Sequence, residues 1–135
     1  METGFAFLNF MQSTGPAVIL GTRQVLDPSL FGLDLDRAST YESFKKGAYV
    51  MMDCEGKADI ILAGTGSEIS TLAGAKLLLE EKGKKVRLVS VPCMELFQEQ
   101  TKEYQEKILG NGSTPVYLME ACSHRAYKMF YADHI

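Results

Sequence analysis

The feature that most constrains the fold is a strand–turn–helix–strand pattern between residues 58 and 92. A short apolar run, Ile60 to Ala63, stops at Gly64-Thr65-Gly66, and a helical pattern then continues to Gly83. A second apolar run covers Val86 to Val91. A unit of this length is normally a right-handed parallel crossover, and its nearly continuous apolar strands are typical of a sheet covered on both faces. The pattern therefore predicts an α/β fold of three layers, with helices on both faces of a mixed, mostly parallel sheet.

The helix of this unit is predicted to bury a face made of apolar residues at helical spacing. These are Ile69, Leu72, Ala73, Leu77 and Leu78. Thr65 or Ser67 is expected to cap the first turn, where Glu68 complements the positive end of the helix dipole. Gly83 is expected to end the helix.

The segments before this unit alternate between regular and irregular patterns. Residues 5–12 resemble the last turns of an apolar helix, and residues 17–20 resemble a short strand. Residues 25–43 sustain no period and are predicted to form an irregular linker. Residues 47–53 are a predicted strand, and the short turn after it favours antiparallel pairing with the strand at Ile60.

The segments after the unit are predicted to add helices and one further strand. Residues 94–109 have the spacing of a single amphipathic helix, and residues 114–121 that of a strand. Residues 123–134 are predicted to begin a helix that Ser123 caps.

Composition narrows the class of protein. The chain has 135 residues, 46% hydrophobic and 23% charged, which is enough for one soluble domain with a core. A net charge of −3 argues against nucleic acid or an anionic membrane as a partner. No apolar run approaches the length of a membrane span, and the N-terminus lacks the pattern of a secretory signal. The expected location is the cytoplasm, with an organelle left open.

Several reactive side chains are candidate site residues. The chain has three cysteines, far apart and without a C-x-x-C pair: Cys54, Cys93 and Cys122. We expect reduced thiols, because neither a zinc site nor a redox pair has this spacing. Proximity of Cys122 to His124 in sequence does not establish a nucleophile–base contact, and His124 and His134 lack acids at ligand spacing, so no metal site is predicted. Glu120 ends a predicted strand, where a ligand role and a capping or interface role are both open.

The Gly64-Thr65-Gly66 turn occupies the position of a dinucleotide-binding turn. That fingerprint requires a third small residue, where this chain has Ile69, and an acid at the end of the next strand, where it has Ser90-Val91-Pro92. Glu68 also puts a negative charge at the helix N-terminus, where a phosphate would bind. A structural turn is therefore favoured over a nucleotide site.

Arg23 is the candidate binding residue of the chain. It follows the short predicted strand at residues 17–20 and lies among Gly21, Thr22 and Gln24. A guanidinium at the carboxyl end of a strand can bind a phosphate or a carboxylate through two parallel hydrogen bonds. The alternative is a salt bridge at a domain edge with an acid of the following linker.

Six segments of the chain together resemble the C-terminal part of the transketolase family. They occur in the family's order and spacing: G-P-A-V-I-L-G-T-R-Q (15–24), K-G-A-Y-V-M-M-D-C-E-G (46–56), A-D-I-I-L-A-G-T-G-S-E-I-S (58–70), V-R-L-V-S-V-P-C-M-E-L-F (86–97), Q-E-K-I-L (105–109) and V-Y-L-M-E-A (116–121). The A-G-T-G-S-E and V-S-V-P strings are specific in combination.

The resemblance implies an enzyme that moves a two-carbon ketol unit between sugar phosphates of the pentose phosphate pathway, using thiamine diphosphate and a divalent metal, Mg²⁺ or Ca²⁺. It also implies a homodimer whose chains have three α/β domains, the first two of which form the active site. Residues 1–24 then correspond to the tail of the pyrimidine-binding domain, residues 25–43 to a linker, and residues 44–135 to a C-terminal domain truncated at its end. Arg23 corresponds to the arginine of the family's S-R-Q motif, which binds the sugar phosphate.

The chain also departs from the family's pattern. Thr22, Val25 and Cys122 stand where Ser, Asn and Gly are usual, and the metal–diphosphate motif, the aminopyrimidine glutamate and the substrate histidines are missing. The resemblance therefore implies a part of a transketolase that is inactive and cofactor-free alone, with the rest of the chain and a second subunit as partners. The alternative is an interaction or dimerisation module with apolar helix residues at its interface: Phe97, Tyr104, Tyr127 and Phe130. A small-ligand site at the glycine turn is the third hypothesis.

Overall fold

The computed structural model describes residues 1–23 and 37–121. In chain order these residues form α1 (Glu2–Gln12), α2 (Arg37–Phe44), β1 (Tyr49–Met52), β2 (Ile60–Gly64), α3 (Glu68–Glu81), β3 (Val86–Ser90), α4 (Met94–Gln98), α5 (Lys102–Leu109) and β4 (Val116–Met119). None of these helices is long and apolar enough to cross a membrane.

The four strands form one sheet in the order β1-β3-β2-β4. β2 pairs in parallel with β3 and with β4, whereas β1 is antiparallel to β3. Because side chains alternate between the faces of a strand, Leu62 and Leu88 pack with α1, α2 and α3, while Ile61 and Val89 pack with α4 and α5. The predicted fold, a mixed and mostly parallel sheet with helices on both faces, is confirmed.

The predicted pairing of β1 with β2 is wrong. β1 pairs with β3 instead, and β3 lies between β1 and β2. The crossover through α3 brings β3 to the edge of β2 that a hairpin partner would have used. The connection from β1 to β2 must therefore pass the start of β3.

Arg87, near the start of β3, holds this connection in place. Its Nε and Nη2 atoms donate to the two carboxylate oxygens of Asp53 at 2.8 and 3.2 Å. Its Nη1 atom donates to the carbonyl of Lys107, at the end of α5, at 2.9 Å. Burial alone would raise the pKa of Asp53, but the hydrogen bonds from Arg87 and from the Cys54 amide lower it below its usual value. One guanidinium thus joins β1, β3 and the carboxyl end of α5.

Helix α3 buries only part of the predicted face, and in its second half a lysine is buried in place of the predicted leucines. The predicted residues that are buried lie in its first half: Ile69, Leu72 and Ala73. Leu77 and Leu78, predicted to be buried, are 59% and 62% exposed, while Lys76 is only 6% exposed. Lys76 is accommodated because its ammonium donates to the Val86 carbonyl at 3.0 Å and to the Glu80 carboxylate. Because it has two polar partners, Lys76 takes a buried position on the helix that the apolar spacing assigns to Leu77 and Leu78.

The predicted end of α3 is confirmed, whereas its start differs from the prediction. Ser67 precedes the helix but makes no side-chain cap; its hydroxyl lies 3.1 Å from Glu68 Oε1. The Glu68 amide donates instead to the Thr65 carbonyl at 3.2 Å. Of the two predicted caps, Ser67 therefore makes no side-chain cap, and Thr65 contributes its backbone carbonyl. Gly83 ends the helix as predicted, with φ +78° and its amide donating to the Glu80 carbonyl at 2.8 Å.

Residues 94–109 form two helices, so the single predicted helix is wrong. α4 ends at Gln98 and α5 begins at Lys102. Thr101 separates them, because its backbone is non-helical (φ −59°, ψ 149°) and its hydroxyl accepts the Tyr104 amide at 3.3 Å. Such a side-chain cap favours a new helix start over continuation of the old helix.

The N-terminal segment agrees only partly with its prediction. α1 includes the helix predicted over residues 5–12. The strand predicted over residues 17–20 is wrong: no strand forms there, and Val18 and Leu20 are exposed. A strand requires a neighbour to pair with its backbone, and none of the described strands pairs with this segment. α2 occupies the second part of the predicted linker at 25–43, and the predicted helix at 123–134 lies outside the described residues.

Gly47 and Gly112 provide a matched test of the packing between β1 and α4. Both have positive φ, +85° and +81°, but an added Cβ would lie 2.2 Å from the Cys93 carbonyl oxygen at Gly47 and would meet nothing within 4 Å at Gly112. We expect Gly112→Ala to lower the free energy of unfolding by about 1 kcal/mol, the cost of a left-handed backbone. Gly47→Ala should cost about 3 kcal/mol, because overpacking adds to it.

Urea unfolding of the two variants measures this difference. Equal losses of stability would contradict the close approach of the Gly47 backbone to α4.

Candidate functional site

Arg23, the residue predicted to bind a phosphate, lies at the end of the first described segment. Residues 16–23 have no regular secondary structure, and Arg23 is exposed. Its guanidinium is therefore accessible to an anion from solvent. Gln24 and the residues that follow it up to 36 lie outside the described residues. The phosphate-binding role of Arg23 stays a prediction.

The glycine turn after β2 is closed by protein atoms beside Gly64, whereas an added Cβ at Gly66 would meet nothing within 4 Å. An added Cβ at Gly64 would lie 2.6 Å from Leu72 Cδ1 and 3.0 Å from the Met119 carbonyl oxygen. Glu68 begins α3, so a carboxylate stands at the helix end where a diphosphate would bind. These residues do not fit the diphosphate of a dinucleotide or of thiamine diphosphate. They support the interpretation of Gly64–Gly66 as a structural turn.

The carboxyl end of β3 carries a polar cluster that the sequence pattern did not indicate. Tyr49 begins β1 and Ser90 ends β3, and the two are paired across the antiparallel strands, so their side chains share a face. Tyr49 Oη donates to Glu2 Oε1 at 2.7 Å, and Ser90 Oγ donates to the same oxygen at 2.5 Å. Ser90 is 0% and Tyr49 3% exposed. A carboxylate of α1 thus satisfies the hydroxyl groups of two buried residues.

The electrostatics of this cluster keep Tyr49 in its donating form. Burial, and then the neighbouring Glu2 carboxylate, raise the pKa of the Tyr49 phenol far above its usual value. A hydrogen bond from a neutral donor to a carboxylate is stronger than one between neutral groups. Phe5, one turn after Glu2, packs its ring 5.2 Å from that of Tyr41 and 5.6 Å from that of Phe44. The first half of α1 is therefore attached to the sheet by the Glu2 carboxylate and to α2 by the Phe5 ring.

The other candidate residues have local structural contacts or lie outside the described residues. Glu120 is half-buried, and its Oε1 accepts the amide of Ala121 at 2.8 Å. Burial raises the pKa of the Cys93 thiol, which lies 3.5 Å from Glu95 Oε2, so this thiol is not activated as a nucleophile. Three candidates lie outside the described residues: Cys122, His124 and His134. Within residues 1–23 and 37–121, no three metal-ligating side chains form a group.

Of the residues predicted to form an interface, Phe97 belongs to the core and Tyr104 packs against it. Phe97 is fully buried, and Tyr104 packs edge-on against it with ring centroids 6.3 Å apart. The Tyr104 hydroxyl donates to the Ala48 carbonyl at 2.9 Å. Tyr127 and Phe130 lie outside the described residues. The exposed apolar side chains of a helix lie mainly on α1: Phe7, Leu8, Phe10 and Met11.

Comparison with known proteins relates most of the chain to one family. Residues 47–134 match the family model described as "Transketolase-like TK C-terminal domain". A transketolase from Craterostigma plantagineum, "Transketolase 7", is 40% identical over 134 residues, which are 96% of this chain and 19% of that protein. A transketolase from Aquifex aeolicus is 42% identical over 98 residues, which are 73% of this chain and 14% of that protein.

Solved structures give the same relationship. A transketolase variant from Pichia stipitis in complex with fructose-6-phosphate superposes with a TM-score of 0.77 and 36% identity, over 93% of this chain and 18% of that one. A transketolase from Leishmania mexicana gives a TM-score of 0.61 and 30% identity, over 67% of this chain and 13% of that one. The chain thus spans less than a fifth of the length of these relatives.

Tyr49→Phe tests the polar cluster through its pH dependence. Near neutral pH we expect the variant to lose about 2 kcal/mol of unfolding free energy, because Glu2 loses a buried donor. The folded-state pKa of Tyr49 lies above its unfolded value of 10.0. The stability that the phenol contributes is therefore complete below about pH 10 and is lost as the pH rises above it.

The stability difference between the original chain and Tyr49→Phe should accordingly shrink from pH 9 to pH 11, in urea titrations at each pH. A difference that stays constant, or grows, over this interval would contradict a buried phenol that donates to a carboxylate.

Proposed function

The chain belongs to the transketolase family, and from this premise we propose that it is the C-terminal domain of a transketolase together with the end of the domain before it. The complete enzyme would transfer a two-carbon ketol unit between sugar phosphates. The observation that carries this proposal is the match of residues 47–134 to the family's C-terminal domain, with 40% identity to one relative over 134 residues. Fructose-6-phosphate is the ligand named for one similar structure, and sedoheptulose-7-phosphate for another.

We place the cofactor chemistry outside these residues. Thiamine diphosphate supplies the carbanion chemistry of ketol transfer, and a divalent metal, Mg²⁺ or Ca²⁺, would hold its diphosphate. At the glycine turn, Leu72 fills the space beside Gly64, and Glu68 puts a carboxylate at the helix N-terminus where a diphosphate would bind. The proposed contribution of this chain is accordingly structural and substrate-binding, and the chain is inactive by itself.

The proposed substrate contact is Arg23. Its exposed guanidinium presents donors in a planar fork, which matches the terminal phosphate of a sugar phosphate better than a lysine would. An arginine at this place would add affinity for phosphorylated sugars without taking part in bond formation. Residues 1–24 would then be the tail of the pyrimidine-binding domain, 25–43 a linker and 44–135 the C-terminal domain.

The remaining parts of the proposal concern assembly and location. The partners would be the rest of the transketolase chain and a second subunit in a homodimer. We propose a cytoplasmic enzyme of the pentose phosphate pathway. The net charge of −3 is compatible with small anionic substrates only if the binding site itself supplies local positive charge, which is the role assigned to Arg23.

A second candidate function is an interaction or dimerisation module. The observation in its favour is the apolar outer side of α1, where four side chains are exposed: Phe7, Leu8, Phe10 and Met11. Sedimentation of the 135-residue chain separates the two functions. A defined dimer that forms without any other polypeptide would favour the module, whereas a monomer would favour the part of a larger enzyme.

In a complete transketolase that contains this segment, Arg23→Ala should raise KM for phosphorylated acceptors about 10- to 100-fold. Loss of a charge-assisted hydrogen bond of about 1.5 to 3 kcal/mol corresponds to this range. Steady-state kinetics with a phosphorylated aldehyde measure the effect.

A non-phosphorylated aldehyde acceptor is the control, because its KM should not change in the same variant. Arg23→Lys should recover only part of the loss, since a lysine keeps the charge without the fork. An unchanged KM for the phosphorylated acceptor would remove Arg23 from the substrate site.

Isothermal titration calorimetry of the 135-residue chain with thiamine diphosphate and Mg²⁺ should give no heat of specific binding. The reason is that the glycine turn has no room for a diphosphate beside Gly64. Saturable micromolar binding at one site per chain would disprove the assignment of the cofactor site to other domains.

A further inference from the structure

The topology of the sheet creates a crevice of the kind that binds ligands in open α/β folds. After β2 the chain enters α3 on one face, and after β3 it enters α4 on the other face. The carboxyl ends of β2 and β3 are neighbours, with Gly64 paired to Ser90. Ligands of such folds bind where successive connections leave in opposite directions, outside the carboxyl ends of the strands.

In this chain a side chain of the chain itself lies at the β1 side of this crevice. Glu2, on the first turn of α1, places its carboxylate at the end of β3. The carboxylate accepts from Ser90 Oγ at 2.5 Å and from Tyr49 Oη at 2.7 Å. On the other side of Ser90 the crevice is narrow, because Leu72 contacts the Gly64 position and the Val91 amide donates to the Gly64 carbonyl at 2.9 Å.

We propose that this crevice is a docking site for the acidic first turn of α1, and that Glu2 is its internal ligand. The docking surface consists of the two hydroxyl donors of Tyr49 and Ser90 and of the aromatic rings of Tyr41 and Phe44. It recognises a helix that presents a glutamate and, three residues later, a phenylalanine on one face, as Glu2 and Phe5 do.

The chemistry of the surface fits this occupant. Both hydroxyls converge on a single oxygen, Glu2 Oε1, and both lie on residues that are nearly completely buried. Neutral hydroxyl donors that converge on one point select a carboxylate over an apolar or cationic side chain, because an apolar or cationic group would offer them no acceptor. Phe5 adds directional specificity, since its ring fits between Tyr41 and Phe44 only when the helix lies in one register.

The role of the domain follows from this occupant. The part of the sheet that could bind a free ligand instead fixes the helix that leads along the chain to Arg23. That the helix belongs to a neighbouring domain rests on the proposed function, whereas the docking contact itself does not. On the proposed function, the C-terminal domain therefore acts on its neighbour by holding α1 in position.

Hydrogen–deuterium exchange of the full 135-residue chain tests the docking site. In Tyr49→Phe, Ser90→Ala and Glu2→Ala, the amides of α1 should exchange at least about fivefold faster, while the amides of β2 keep their rates. Glu2→Gln should restore part of the protection, because its amide oxygen can still accept from both hydroxyls.

Tyr104→Phe is the matched control, since it removes a tyrosine hydroxyl bonded to the Ala48 carbonyl on the other face of the sheet. It should leave the relative exchange of α1 unchanged. Glu2→Ala keeps the test decisive if a strand variant fails to fold, because Glu2 lies outside the sheet.

Selective acceleration of α1 in the three variants would support the docking site. Unchanged α1 exchange in Glu2→Ala, or an equal effect of Tyr104→Phe, would overturn it. This outcome is separate from the fate of the proposed function, because the exchange experiment contains no substrate and the Arg23 kinetics do not depend on it.

Discussion

The buried hydroxyl group of Ser90, at the end of the central strand, requires a hydrogen-bond acceptor, and the N-terminal helix supplies it. β3 lies between two strands and under helices on both faces, and Ser90 at its end is 0% exposed. A buried hydroxyl without a partner costs about 1–3 kcal/mol. The acceptor is Glu2, which is remote in sequence, and Tyr49 shares it. α1 is thus joined to the centre of the sheet by hydrogen-bond satisfaction, in addition to the apolar contact of Phe5.

Regular periodicity made the central part of the fold predictable. The crossover from Ile60 to Ser90 has strong apolar runs and glycine boundaries, and it folds as its pattern indicates. The prediction was wrong where a polar side chain with specific hydrogen-bond partners departs from the hydrophobic pattern. Lys76 takes a buried position because Val86 and Glu80 satisfy its ammonium, and Thr101 divides a continuous amphipathic pattern because it caps a new helix. A hydrophobic period contains no information on such partners.

The polar cluster at the carboxyl end of β3 could not be read from local sequence. Glu2 has the appearance of an ordinary first-turn acid that complements a helix dipole. Its two donors lie in other elements, and they converge only because β1 and β3 pair with Tyr49 opposite Ser90. That register depends in turn on the order of the strands, which the short connection after β1 did not predict correctly. Arg23 is the opposite case, since its place in the sequence and the family resemblance both indicate it as a phosphate-binding candidate.

The contact of Glu2 with the end of β3 explains why a domain with the topology of a ligand-binding fold need not bind a ligand there. Open α/β sheets expose a crevice wherever connections diverge, and unsatisfied donors there attract an anionic ligand. When a neighbouring helix supplies the anion as a glutamate, the same donors become an attachment point. The free energy of these hydrogen bonds then positions a segment of the protein. Residues on that segment, and not the donors of the crevice, bind the ligand. In the proposed function such a residue is Arg23, whose exposed guanidinium lies beyond α1 along the chain.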